Sequence, residues 1–250
     1  MKKGVRIIVV HYAKLVIRVI AFILLLVLYI NKGNAFIMSN LKEKYYILIF
    51  IWLLIFIEIG IRAFNLGLES MGCQKIFKKN YIKEELEIDD RTIIKPRKYS
   101  PFIITGICLG LNAIYAPLYF NGIIDNSILM LISLFYSICD VICVLFYCPF
   151  QQWFMKNKCC VACRIYNWDY ALILSPLVFI FNAYTVSLIA ISLFIVIQWE
   201  VTYKLHPERF SEKTNRKLQC RYCEEKLCQY KKSLQKFVVK ANKKLREKNK

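Results

Sequence analysis

Apolar residues in this chain come in long uninterrupted runs separated by short basic stretches, without the period of 2 or 3.6 that marks a half-buried strand or a surface helix. Runs of this length predict membrane-crossing helices. Only helices and closed barrels satisfy every backbone polar group in lipid, and a barrel would show alternation. The runs place spans over about residues 13–30, 46–64, 101–120 and 127–148. Pro101 suits the first turn of the third, because its missing N–H would have no partner there. The turn Asn121-Gly122-Ile123-Ile124-Asp125-Asn126 joins the third span to the fourth.

Residues Tyr170 to Trp199 are almost wholly apolar, too long for an ordinary single span and tight for two. Charge parity decides between them. The loop from Pro149 to Asp169 holds Lys156, Lys158 and Arg164 against one acid, and the tail from Lys204 onward holds 16 Lys and Arg against five acids. Both read as cytosolic, which requires an even number of crossings between them. A tight hairpin near Asn182-Ala183-Tyr184 follows, with spans over about 166–181 and 184–203, since Pro176 and Asn182 weaken a continuous helix. The rival is one long tilted helix with the tail outside. Lys2, Lys3 and Arg6 put the N-terminus in the cytosol as well, whereas Lys32, Lys42 and Lys44 run against this orientation. The fold class expected is all-α, a polytopic transmembrane bundle of about six helices over residues 1–203, followed by a basic cytosolic tail over 204–250. Lys14 and Arg18 interrupt the first run and no small-residue cleavage site follows it, so it reads as a retained span in the plasma membrane.

Charge sharpens the choice of partners. The chain has 36 Lys and Arg against 17 Asp and Glu, a formal net charge of +19. No aromatic-plus-basic module for nucleic acid is recognisable, so the bilayer and its anionic headgroups are the expected partners and nucleic acid is not. Leu234, Phe237, Val238, Ala241 and Leu245 fall on one stripe of a helix otherwise rich in lysine, the pattern of a helix lying on the membrane surface. A solvated basic tail is the simpler alternative.

The 11 cysteines are unevenly spread. Cys108, Cys139 and Cys143 fall inside predicted spans, where a thiol is most often a small packing residue. Cys160-Val-Ala-Cys163 and Cys220-Arg-Tyr-Cys223 are each a C-x-x-C pair, the spacing that lets two thiolates meet one tetrahedral metal from a tight turn. Both pairs lie on the same predicted side, so Cys160, Cys163, Cys220 and Cys223 form a candidate four-sulfur site, with Cys148, Cys159, Cys228 and His206 as possible extra ligands. Zinc is favoured over an iron–sulfur cluster, and free or redox-active thiols are the alternative in a cytosolic setting. Lys158, Arg164, Arg221 and Lys226 would favour thiolates in either case.

Cys148-Pro149-Phe150-Gln151, the run from Cys159 and Cys160 through Cys163-Arg164-Ile165-Tyr166-Asn167-Trp168-Asp169, and His206-Pro207-Glu208-Arg209-Phe210 before Cys220 and Cys223 carry a resemblance. Over roughly the last 100 residues the chain is similar to a bacterial family of polytopic membrane proteins with cysteine motifs. The resemblance implies a bacterial plasma membrane and brings no activity with it.

Ionisable residues inside spans are costly and normally face the protein interior. Counting from the outer helix ends places Arg18, Glu58 and Asp140 at one depth, and Glu58 and Arg62 are spaced to pair on one helix face. The plain reading is an ion-pair network that fixes packing; the sharper one is a proton or ion relay through Glu58 and Asp140. Gly106 and Gly110 would let another helix approach the third span, from the same chain or from a second copy. No nucleophile elbow, zinc-protease motif, P-loop or dinucleotide turn is present. The functional expectation is therefore a binding or interaction module organised by a thiolate metal site and open to a protein partner. A membrane redox protein and a small transporter using Glu58 and Asp140 are the alternatives.

Overall fold

The computed structural model describes residues 3–32, 41–64, 70–84, 100–155, 161–223 and 225. Among these, every regular element is helical, and β pairing is limited to one isolated bridge between Lys83 and Asn215. The long helices are α1 (Lys3–Lys32), α2 (Leu41–Ala63), α3 (Ser100–Phe120), α4 (Asn126–Leu145) and α6 (Ala183–Leu205), with a short α5 (Asp169–Leu174) before the last. Four of the described helices are long and apolar enough to cross a membrane: residues 7–31, 101–120, 126–145 and 183–205. The protein is all-helical and of multi-pass membrane type.

Local chemistry explains the boundaries. At the α3–α4 turn, Gly122 has φ +73°, a left-handed backbone that glycine adopts without strain. Asp125 then caps α4, accepting from the Ile128 N–H at 2.8 Å. Asn182 caps α6 in a reciprocal capping box with Thr185.

The predicted span over 166–181 is not a continuous helix. It is a broken limb of three short pieces, Tyr166–Trp168, Asp169–Leu174 and Ser175–Phe179, of which only the middle one is α-helical. Pro176 stands at the start of the last piece and cannot donate to an α-helical ladder. The hairpin is present nevertheless, and one long helix through this region is excluded. The limb runs antiparallel to α6, with Trp168 Nε1 donating to Glu200 Oε1 at 2.9 Å near one end and Thr185 Oγ1 to the Ile180 carbonyl at the other. Its pieces rise about 25 Å in all, close to the thickness of a hydrocarbon core. Irregular backbone at membrane depth is tolerated where protein surrounds it. Here Tyr170, Ile173, Leu174 and Leu177 are buried, and Ser133 Oγ donates to the Ile173 carbonyl at 2.9 Å.

The core joins α2, α4, the limb and α6 through Ile59, Ala63, Leu129, Leu174, Leu188 and Ile195. Trp52 on α2 ties to α6 through Nε1, at 3.0 Å from Ser187 Oγ. α1 packs along α4, where Val141 and Leu145 meet Ile8 and Leu15. α3 is peripheral. A Cβ added at Gly106 or Gly110 would meet nothing within 4 Å, so among the described residues these glycines seat no other helix.

One end of the bundle carries a compact cap built from segments around 70–84, 161–168 and 206–225. Val161, Leu218 and Met71 pack together, and Trp199 meets Phe210 edge to face at 4.9 Å. Lys75 is fully buried there. Its ammonium donates to the Val161 and Cys163 carbonyls at 3.0 and 2.9 Å and lies over the Trp199 ring at 4.9 Å. These contacts offset the cost of taking the charge out of water. Arg209 Nη1 donates to the Ile76 carbonyl at 2.9 Å, and the Glu225 carboxylate accepts from Ser70 Oγ at 2.7 Å. Gly72 leaves room for the Tyr166 ring, which a Cβ would approach to 2.9 Å.

Candidate functional site

Three helical stripes face one another beside the cap. On α4, Tyr136, Cys139, Asp140 and Cys143 fall at i, i+3, i+4 and i+7, one face of a helix. Ile104, Ile107, Cys108 and Leu111 repeat that spacing on α3, and His11, Lys14 and Arg18 line up on α1. All of these residues border one cleft of about 420 Å³, within the range of small-molecule sites. Phe150, Cys163 and Tyr166 close it toward the cap. On the flank, the wall residues Ile107, Leu111 and Phe135 are 41%, 38% and 52% exposed, so the cleft opens between α3 and α4 toward the lipid side.

The cleft wall is mostly apolar and carries an ion network along one side. Glu58 lies 2.8 Å from Lys14 Nζ and 3.3 Å from Arg18 Nη2. Arg18 Nη1 reaches Asp140 at 3.5 Å and donates to the Ser137 carbonyl at 2.8 Å. Three helices are thus cross-linked by charges predicted to share one depth. Arg62 binds the limb: Nη1 lies 2.6 Å from Asp169 Oδ1, and the guanidinium sits 4.5 Å from the Tyr170 ring centre. In this low-dielectric setting such pairs hold packing with little hydrophobic force to help them.

Five thiols border the same cleft: Cys108, Cys139, Cys143, Cys148 and Cys163. Cys143, in the last turn of α4, and Cys148, just beyond it, interact at the wall of the cleft. Both are unoxidised. Cys148 also accepts from the Gln151 backbone N–H at 3.4 Å, a donor aimed at its sulfur. Cys108 lies 3.4 Å from Ser175 Oγ on the limb. The three cysteines that sequence assigned to packing, Cys108, Cys139 and Cys143, therefore converge with two of the candidate ligands, Cys148 and Cys163. The signal that could have found them is the Tyr136–Cys139–Asp140–Cys143 stripe, polar and polarisable on a membrane helix.

The expected metal tetrad fares differently. Cys163 is buried against Ile104, Met155 and Ile165, Cys220 is exposed, and Cys223 is half-buried. Among the described residues, no group of three or more His, Cys, Asp and Glu could hold a metal ion. Cys159, Cys160 and Cys228 lie outside the described residues, as do the surface-helix residues Leu234, Phe237, Val238 and Leu245. His206 contacts Glu208 at 3.1 Å between Nδ1 and Oε1.

No family model matches the chain, and no curated protein or solved structure is significantly similar to it.

Proposed function

We propose that this is a multi-pass plasma-membrane protein that carries out thiol–disulfide chemistry at the Cys143–Cys148 pair, at the wall of its intramembrane cleft. The observation that carries the reading is the convergence of these two thiols on the wall of one cleft large enough for a reactant, with the Gln151 N–H 3.4 Å from the Cys148 sulfur. Cys148, with the Gln151 N–H aimed at it, is the attacking sulfur, and Cys143 resolves. As a thiolate, Cys148 attacks one sulfur of a partner disulfide and expels the other as a thiolate. Cys143 then attacks the mixed disulfide and expels the second. Two protein S–H bonds are exchanged for one S–S bond, and both protons end on the two released thiols.

In this reading both termini and the cap are cytosolic, and the limb is the fifth of six crossings. Contacts support the parity: Tyr12 of α1 meets Phe146 after α4, and the chain after α2, after α4 and after α6 meets in the cap. The positive-inside rule assigns that basic end to the cytosol.

The test is alkylation counting on purified protein incubated with oxidised glutathione. Wild type is expected to lose two reactive thiols together, whereas Cys143→Ser stops at the mixed disulfide and Cys148→Ser, lacking the attacking sulfur, forms none. Independent loss of the two thiols, or their survival, would refute the pairing.

A further inference from the structure

We infer that the cleft admits a lipid-soluble quinone as the two-electron acceptor of the Cys143–Cys148 dithiol, an inference that rests on the proposed thiol chemistry. The argument begins with access. The flank of the cleft is bounded by Ile107, Leu111 and Phe135, apolar and exposed on membrane-crossing helices, so a reactant entering there comes from the hydrocarbon phase. A soluble disulfide would have to leave water to do so; a lipid-soluble carrier would not.

The lining suits a flat ring with two polar ends. Tyr136, Phe150 and Tyr166 present aromatic surface to the cleft. The Tyr136 hydroxyl, 2.8 Å from that of Tyr115, offers a donor for a carbonyl where oxygen charge would develop. The volume, about 420 Å³, accommodates a substituted ring while a hydrophobic tail remains in the membrane.

Stoichiometry selects the class. Closing the disulfide breaks two S–H bonds and forms one S–S bond, which releases two electrons and two protons. A quinone takes up that number of each: its two carbonyl oxygens become the two hydroxyls of the hydroquinone, with no third reactant. Cys148 attacks the ring as thiolate, and Cys143 then displaces the hydroquinone by attacking the Cys148 sulfur.

The experiment uses the full-length reduced protein in mild detergent, with a short-chain alkyl benzoquinone in one arm and oxidised glutathione in the other. One quinone consumed per chain is expected, with formation of the Cys143–Cys148 disulfide. In single-turnover rate measurements, Leu111→Trp narrows the cleft mouth and is expected to raise the KM, read as the quinone concentration that gives half the maximal rate of disulfide formation, about tenfold. Phe181→Ala, at a 92% exposed residue at the opposite end of the bundle, is the control and should leave quinone turnover at the wild-type value. Glutathione exchange without quinone reduction would overturn the quinone inference and leave the thiol reading standing. Failure of both arms would overturn both. Quinone reduction with an unchanged KM in Leu111→Trp would overturn the cleft as the route.

Discussion

Arg62→Ala removes the guanidinium that holds the limb to α2. In the native structure Arg62 and Asp169 are 8% and 13% exposed, with Nη1 at 2.6 Å from Oδ1 and the Tyr170 ring stacked at 4.5 Å. Truncation leaves the Asp169 carboxylate buried with the Tyr170 N–H, at 2.9 Å, still donating to it. Breaking one side of a buried pair costs about 3–5 kcal/mol, because the remaining charge stays desolvated. For a chain of this size that corresponds to a fall in melting temperature of roughly 6–20 °C. A dye that reacts with thiols as they become exposed is the natural assay, since Cys73 and Cys163 are buried in the folded state. The companion variant, Arg62→Met with Asp169→Leu, removes both charges at similar volume. It is expected to recover most of the loss, because neither desolvation term remains. A single variant melting with wild type, or a double variant as unstable as the single, would refute the claim that this pair is buried and anchors the limb.

Gly72→Ala should loosen the cap by about 1–3 kcal/mol, since the new methyl meets the fully packed Tyr166 ring; faster alkylation of Cys73 would report it, and an unchanged rate would count against the contact. In native protein Cys220 is expected to react with a maleimide well before Cys73 and Cys163, reflecting its exposure; the reverse order would refute the cap.

Much of the architecture could be read from local pattern. Apolar runs mark helices because each must satisfy its own backbone inside lipid, a requirement carried by consecutive residues. Asn182 and Pro176 mark the hairpin because a cap and a missing N–H act on the adjacent turn. The shared depth of Arg18, Glu58 and Asp140 follows from counting along helices of known rise. Even the cap was partly legible, through charges that put its segments on one side.

What pattern could not supply was partnership across the bundle. The choice of Asp169 by Arg62 depends on how the limb lies against α2, and the spacing of Glu58 and Arg62 along one helix carries no information about that rotation. The same holds for the thiols. Cys108, Cys139, Cys143, Cys148 and Cys163 come from four separate elements or connectors, and nothing in their spacing along the chain brings them to one cleft. Two C-x-x-C spacings suggested a site, but spacing speaks only for the two sulfurs of one turn, and Cys163 is drawn instead into the core beside Ile104 and Met155. The sequence by itself determined a polytopic helical membrane protein, its hairpin and its intramembrane charges, since those rest on local backbone and desolvation energetics. Only the tertiary structure decided which charges pair and which thiols share a cleft, because helix rotation and lateral packing are set by contacts between segments far apart along the chain.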